Sequence, residues 1–121
     1  MSDEVTERII GAAIEVHRIL GPGLLESIYE EALCHELSLR GLPIRRQVDI
    51  VVRYKEKNIS GQRLDLIVAD EVVVELKSQH KLPEVAAAQV LSYLKASGMK
   101  RGLLVNFGQQ KLTDGIKRFS L

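Results

Sequence analysis

The 121-residue sequence lacks several features that would point directly to a class of function. It contains one cysteine, Cys34, which excludes an internal disulfide framework and a four-cysteine zinc site. Basic residues number 17 and acidic residues 16, so any nucleic-acid-binding surface must be local. No apolar run approaches the roughly 18 residues of a membrane helix, and the acidic start does not resemble a signal peptide. We therefore expect a cytoplasmic protein with no membrane partner.

What the sequence does contain is the composition of an ordinary globular domain, with 45% hydrophobic and 27% charged residues. Its length favours a single domain, since domains usually run about 100–150 residues. Apolar residues at steps of three and four predict three helices, over residues 2–20, 24–40 and 83–97. Runs of β-branched or alternating apolar residues predict four strands, over residues 47–54, 59–69, 72–77 and 101–107.

The predicted order α-α-β-β-β-α-β indicates an α/β fold. The strand–helix–strand step over residues 72–107 normally places its two strands parallel through a right-handed crossover. We therefore predict a mixed four-stranded sheet covered by helices. Residues 1–20 form an extra N-terminal helix capped by Ser2, residues 24–107 form the core, and residues 108–121 form a C-terminal tail.

Helical periodicity also predicts which side chains point inward. The inward stripe of the first helix is predicted to consist of Val5, Ile9, Ala12, Val16 and Ile19. That of the second helix is predicted to consist of Leu25, Ile28, Tyr29, Ala32, Leu33 and Leu37.

The third predicted strand carries charged residues directly after the apolar run Val72-Val73-Val74. Residues two apart on a strand point to the same face, so Glu75 and Lys77 project together. Burying such charges is costly unless they are paired or bound to a metal. An active site and a solvated salt bridge at a sheet edge both fit this pattern, and spacing alone leaves both interpretations open.

The register of the preceding strand decides whether Asp65 joins Glu75. A two-residue turn at residues 70–71 would pair Asp65 with Leu76 and keep the acids apart. A three-residue turn or one bulge pairs Asp65 with Glu75 or its neighbour. We predict this second register because Leu64 and Leu66 can then pack with the apolar residues Val74 and Leu76.

Such an acidic pair would need a partner charge. Two carboxylates about 4 Å apart repel by roughly 4 kcal/mol at an effective dielectric near 20, so only a shared proton or a cation makes the arrangement favourable. All-oxygen ligands suit Mg²⁺ or Mn²⁺ rather than zinc. Lys77 beside them could orient or deprotonate water, or stabilise charge developing on a phosphate.

Asp65 followed by Glu75-Leu76-Lys77 resembles the signature of the PD-(D/E)XK nuclease superfamily, whose αβββαβ core order matches the prediction from Leu24 onward. The chain also resembles, over nearly its whole length, the GxxExxY family within that superfamily. The naming motif stands here as Gly23-Leu24-Leu25-Glu26-Ser27-Ile28-Tyr29, and the segments RLDLIV, VVELKS, AQVLSYLKASG, GLLVNFG and IKRF also match. The resemblance implies a restriction-endonuclease-like fold.

The resemblance also implies a Mg²⁺ or Mn²⁺ site and roles for its residues. Asp65 and Glu75 match the metal-binding acids, and the backbone carbonyl of Leu76 is a common extra ligand in such sites. Glu26 matches an acid on the first core helix that often completes the metal shell. Lys77 matches the catalytic lysine.

On the second core helix, Gln89 and Tyr93 match a Gln-x-x-x-Tyr pattern found in RecB-like and phage-exonuclease-like members. The resemblance implies that Gln89 positions Lys77 or a phosphate. Tyr93 and Tyr29 are expected to contribute to substrate binding. Ala86 stands where many GxxExxY members carry a histidine, so this sequence lacks whatever that side chain contributes.

We therefore expect a metal-dependent nuclease that hydrolyses phosphodiester bonds of DNA or RNA. A domain of this size spans few base pairs, so a homodimer or a partner subunit is expected. Three pairs of adjacent cations would hold phosphates if they lie around the site and are otherwise solvated, namely Arg45-Arg46, Lys100-Arg101 and Lys117-Arg118. The alternatives are a non-catalytic nucleic-acid-binding module and a protein-interaction module on the same fold.

Overall fold

The computed structural model describes residues 4–121, so the predicted cap Ser2 lies outside the described residues. Along this part of the chain, helices and strands follow one another as α1 (Glu4–Leu20), α2 (Glu26–Leu39), β1 (Ile44–Tyr54), β2 (Lys57–Val68), β3 (Val72–Lys77), α3 (Val85–Ser97), β4 (Arg101–Asn106), a 3₁₀ turn (Leu112–Gly115) and β5 (Ile116–Ser120). The order from α1 to β4 confirms the predicted α-α-β-β-β-α-β sequence of elements.

The strands form one mixed sheet in the order β1-β2-β3-β4-β5. β3 and β4 are parallel, as predicted for the strand–helix–strand unit, and the other neighbours are antiparallel. The described sheet has five strands rather than the predicted four because part of the predicted tail pairs with β4. The segment IKRFS is short and carries two adjacent cations, which are common on edge strands and conceal the strand pattern.

Helices cover both faces of the sheet. α1 and α2 pack on one face, over a core that includes Val72, Val74 and Leu76 of β3. α3 packs on the other face, over Val73 and over residues of β1 and β2. β3 is therefore buried on both sides, and a charged side chain near its end is held in an apolar layer. Across residues 4–121 we find no helix with the length and hydropathy of a membrane span.

Three side chains that were predicted to point inward are exposed instead, Ile19 at 63%, Leu25 at 73% and Ile28 at 46%. Ile19 lies in the last turn of α1, beyond the last buried residue, His17. Leu25 precedes α2, whose first residue is Glu26. The buried stripe of α2 consists mainly of residues spaced four apart, Tyr29, Leu33 and Leu37. Leu25 and Ile28 lie outside this stripe.

Candidate active site

The end of β3 brings Glu75 and Lys77 next to Asp65 of β2. β2 and β3 are joined by three residues, 69–71, and this connection confirms the predicted register up to the pair of Leu66 with Val74. Directly beyond that pair, Asp65 contacts the Glu75 carboxylate. Glu75 is only 5% exposed, and Asp65 and Lys77 are half-buried. The arrangement is therefore a partly buried acidic pair beside an ammonium group, not a solvated salt bridge at the sheet edge.

The two carboxylates take over the hydrogen bonds of the sheet where the strands separate. The last regular pair is Leu66 with Val74. Beyond it, the Asp65 N–H donates to Glu75 Oε1 at 3.3 Å, and the Leu76 N–H donates to Asp65 Oδ2 at 2.8 Å. Each acid therefore binds the backbone of the opposite strand, which holds both carboxylates at the open end of the β2–β3 ladder.

One part of the predicted packing is wrong, because β1 and β2 are irregular around Asp65. Leu66 packs with Val74 on the side of α1 and α2, as predicted. Leu64 lies on the opposite side, in the core beneath α3. The β1–β2 pairing skips Gln47 and Asp65, and Gln47 has a φ of 50°. This interruption turns Leu64 to the face opposite that of Leu66.

Burial, together with nearby negative charge, raises the pKa of both acids. For Glu75, loss of solvation is the main cause and the charge of Asp65 adds to it, raising the pKa to about 8. The pKa of Asp65 is also raised, mainly by burial, although the hydrogen bond from Leu76 opposes the shift. The ammonium of Lys77 favours the ionised form of both acids. Since one cation cannot neutralise two carboxylates, the pair favours a bound proton or a further cation.

A third carboxylate approaches from α2. Glu26 begins this helix, remains partly exposed, and accepts a hydrogen bond from the backbone of Ser78, directly after β3. The Ser78 hydroxyl donates to the Leu24 carbonyl at 2.5 Å, which ties the start of α2 to the end of β3. Burial raises the pKa of Glu26, Lys77 lowers it, and Asp65 raises it further. Glu26 thus interacts with the site, but no three acidic, histidine or cysteine side chains among residues 4–121 converge into a ready-made metal cage.

A family model of the PD-(D/E)XK nuclease superfamily matches residues 3–119 of this chain. The chain belongs to this superfamily. Comparison with curated proteins and with solved structures gave no match. The five-stranded mixed sheet with helices on both faces agrees with the restriction-endonuclease-like fold that the sequence predicted. Membership suggests a nuclease, and nucleases of the PD-(D/E)XK superfamily generally use divalent metals.

Behind Asp65 and Glu75 lies a layer of residues that sequence reasoning missed. The Gln47 side-chain amide donates to Asp65 Oδ1 at 3.4 Å and to Glu30 Oε1 at 3.0 Å. Glu30 in turn forms an ion pair with Arg46 at 3.0 Å. Gln47 therefore holds the oxygen of Asp65 that Leu76 leaves free. No sequence signal marks Gln47, because its role depends on the left-handed backbone at this one position.

Gln89 and Tyr93, the Gln-x-x-x-Tyr pair of α3, lie on the buried side of the site, beneath the acids. Tyr93 is 2% exposed, accepts a hydrogen bond from the Gln62 amide at 3.0 Å, and shares another with Gln89. Burial raises the pKa of Tyr93, and the charge of Glu75 adds to the shift, which places the ring near the acids. Its burial does not support the expected substrate contact. Ala86 is also buried, in a small apolar cluster beneath α3.

Tyr29, which was expected to bind substrate, lies beneath the loop that leads into α2. It is fully buried, and its ring stacks on Phe107 at a centroid distance of 4.4 Å. Its hydroxyl donates to the Gly21 carbonyl and accepts from the Leu24 N–H at 3.1 Å. A substrate contact is therefore not supported. Tyr29 instead fixes the loop from which Glu26 approaches the site.

Tyr29→Phe should lower the free energy of unfolding by about 1 kcal/mol, because it removes two part-buried hydrogen bonds that hold the loop. Tyr54→Phe is the matched control, since Tyr54 is 59% exposed and its change should have little effect. Urea unfolding of both variants measures the difference. Equal stabilities would show that the Tyr29 hydroxyl does not hold the loop.

The adjacent cation pairs do not form a basic rim around the acids. Arg45, Arg46 and Arg118 each form an ion pair with an acid of the described chain. Arg101 begins β4, whereas Lys77 aligns with the last residue of that strand. Most of the predicted phosphate contacts therefore lie away from the site or are engaged in ion pairs.

A cleft of about 710 Å³ opens beside Glu26. One wall is the loop before α2, and the other is the segment that follows β3, from Ser78 to His80. The exposed Leu25 lines the first wall. A volume of this size is typical of ligand sites and leaves room for a nucleotide-sized group next to Glu26. Asp65, Glu75 and Lys77 do not line this cleft.

Proposed function

We propose that this chain is a Mg²⁺- or Mn²⁺-dependent nuclease that hydrolyses phosphodiester bonds of DNA or RNA. The observation that carries the proposal is the reciprocal binding of Asp65 and Glu75 at the open end of the β2–β3 ladder, with Lys77 beside them. This arrangement gives two poorly solvated oxygen donors and one amine at a single point. The match to a nuclease superfamily supports the same proposal.

The donor set fits a hard divalent cation. Asp65 and Glu75 supply oxygen ligands only, and their raised pKa values indicate a deficit of positive charge. Mg²⁺ usually keeps several waters and binds through one or two carboxylates plus substrate phosphates. That mode of binding needs no closed cage of three acids, and none is present in the described residues.

Two further groups are proposed as ligands. The Leu76 N–H points toward Asp65, and in a strand the carbonyl of the same residue points to the same side. The Leu76 carbonyl is therefore directed toward the acids, past the last regular pair of the ladder. Glu26 would complete the shell from α2, directly or through water. Its coupling to Lys77 and Asp65 supports this role.

Each side chain of the site has a separate proposed role in hydrolysis. When bound, the divalent cation would polarise the scissile phosphate and lower the pKa of the attacking water. The Lys77 ammonium would orient that water and stabilise negative charge developing on the phosphate. Gln89 would position Lys77 or a phosphate oxygen, and Tyr93 would hold Gln89 in place from the buried side. Gln47 would hold Asp65.

We also propose that the chain belongs to the GxxExxY family, because each residue of the naming motif has a distinct structural role. Gly23 has a φ of 104°, a conformation that glycine adopts at little cost. Glu26 binds the backbone of Ser78 after β3. Tyr29 anchors the loop between α1 and α2. Together these residues support the approach of one acid to the site.

Cleavage assays with single- and double-stranded DNA and RNA, in Mg²⁺ or Mn²⁺, test the proposed function. The wild-type protein should cut at least one of these substrates with metal and none after chelation. Lys77→Ala should lower kcat by about 10²- to 10³-fold, because it removes a preorganised charge at the developing anion. Lys81→Ala, at an exposed lysine of the loop that follows, is the matched control and should retain activity.

Absence of metal-dependent cleavage on all four substrates would overturn the nuclease proposal. If nucleic acid still bound, the chain would be a non-catalytic binding module on a nuclease fold. Cleavage that Lys77→Ala leaves unchanged would place the catalytic amine elsewhere.

A further inference from the structure

The outer part of the β1–β2 hairpin, residues 51–61, extends beyond the body of the protein, and we call it the arm. Every residue of the arm is exposed, whereas Ile50 at its base is buried. Its strands stay paired from Val52 and Ile59 to Tyr54 and Lys57. At about 3.3 Å per residue, the arm projects about 15 Å past Ile50. It is a two-stranded ribbon whose side chains all reach solvent.

The arm concentrates positive charge that the rest of the chain does not have. It contains Arg53, Lys55 and Lys57 against one acid, Glu56, a net charge of +2 where the whole chain has +1. None of the three cations forms an ion pair with any of the described residues. By contrast, Arg63, just beyond the arm, is paired with an aspartate at 3.1 Å. The arm is therefore a local basic surface.

One face of the arm continues an apolar stripe that begins in the core. Ile50 packs beneath α3, and Val52 and Tyr54 follow it on the same face of β1. Ile59 lies directly across from Val52. These three arm residues are 43% to 59% exposed, because α3 does not extend over them. The arm thus presents apolar side chains together with cations that form no salt bridge among the described residues. The Lys55 ammonium lies over the ring of Tyr54, 5.5 Å from its centroid.

We propose that the arm binds double-stranded nucleic acid by entering a groove of the duplex. This inference rests on the proposed nuclease function and names the class of its substrate. A two-stranded ribbon fits the major groove of B-form DNA, which is about 12 Å wide, whereas the major groove of an RNA duplex is too narrow for it. Its cations would meet phosphates at the walls of the groove, and its apolar residues would contact base edges.

The arm leads directly to the acidic pair, because both lie on β2. Gln62, next to the arm, donates to the Tyr93 hydroxyl behind the site, and Asp65 follows three residues later. From Lys57 to Asp65 the strand spans eight residues, about 26 Å. This distance equals about eight base-pair steps of 3.4 Å. A duplex that lay along β2 would therefore extend over about eight base pairs between the arm and the acids.

A second copy of this chain suits the arm less well. A two-fold contact through the arm would bring six cations together against two copies of Glu56. Like charges placed directly opposite one another destabilise such strand contacts. A polyanion instead complements the charge and releases its counterions on binding.

Binding measured apart from cleavage tests the inference. In the Lys77→Ala background, the arm variant carries Arg53→Gln, Lys55→Gln and Lys57→Gln. The matched control carries Lys81→Gln, Lys95→Gln and Lys111→Gln, which remove the same charge from exposed positions elsewhere. Fluorescence anisotropy gives the Kd for 20-base-pair DNA and RNA duplexes and for 20-nucleotide single strands, over a series of salt concentrations.

The arm variant should bind a duplex about 10- to 100-fold more weakly, and the slope of log K against log salt should fall by about 3. The control should bind within about threefold of the parent protein. Equal losses in the two variants, or no loss in the arm variant, would overturn the inference. A dimer that sedimentation shows to dissociate only in the arm variant would also overturn it, and would assign the arm to a second copy. If the parent protein binds no nucleic acid at all, the proposed function itself fails.

Discussion

Asp65→Asn is expected to abolish Mn²⁺ binding and to lower metal-dependent cleavage by at least about 10³-fold. The substitution removes one of the two charges proposed to hold the cation, and loss of about 4 kcal/mol of metal-derived stabilisation corresponds to this factor. The asparagine oxygen can still accept the Leu76 N–H, so the end of the β2–β3 ladder should persist. Titration calorimetry with MnCl₂ and cleavage assays measure the two effects.

Asp49→Asn provides the control for this experiment. Asp49 lies on the neighbouring strand β1 and its side chain is exposed in an ion pair with Arg63 at 3.1 Å. The same chemical change there should leave Mn²⁺ binding and cleavage close to wild type. Thermal unfolding in chelator should show that Asp65→Asn is folded. Undiminished Mn²⁺ binding by folded Asp65→Asn would place the metal site away from the acidic pair.

The proximity of Asp65 and Glu75 could be predicted from sequence, because the register between β2 and β3 also decides which side chains of β2 are buried. Moving the register by one residue would have placed Asp65 on the opposite face, away from Glu75. The packing of Leu64 could not be predicted, because it follows from the backbone of a residue on another strand. Gln47 adopts a left-handed conformation opposite Asp65, and nothing in the local sequence requires this.

Other differences between the predicted and the observed structure arise from contacts between distant parts of the chain. The start of α2 is set by Tyr29, whose hydroxyl binds Gly21 and Leu24, so Leu25 remains outside the helix. A helical pattern alone extends the apolar stripe through Leu25. Likewise, β5 exists because β4 offers a free edge, while its own sequence is short and charged. The sequence therefore predicts the elements and the acids, and tertiary contacts decide their boundaries and support.

In the metal-free protein, the free energy of unfolding is expected to depend on pH because of Glu75. Its pKa is about 8 in the folded chain, against an ordinary value of 4.5. Between these values the folded state keeps a proton that the unfolded chain has released. Stability is therefore highest below pH 4.5 with respect to this group, and it falls as the pH rises to about 8. The full loss amounts to about 3 to 5 kcal/mol.

Glu75→Gln removes this dependence, because the amide is neutral at every pH and its oxygen can still accept the Asp65 N–H. In chelator at pH 9, the variant should exceed the wild type in unfolding free energy by about 3 to 5 kcal/mol, and the difference should shrink to about 1 kcal/mol or less at pH 5. Glu71→Gln, at an exposed glutamate in the turn before β3, should show no such change.

Urea unfolding between pH 5 and 9 distinguishes the variants. Saturating Mg²⁺ at pH 9 should stabilise the wild type, because the cation would replace the proton between the acids. The difference in unfolding free energy between the wild type and Glu75→Gln should therefore become smaller. Parallel stability curves for wild type and Glu75→Gln in chelator would show that Glu75 is solvated enough to ionise freely. The proposed cation would then lose its electrostatic reason for binding at the end of β3, since the acids would need no partner charge.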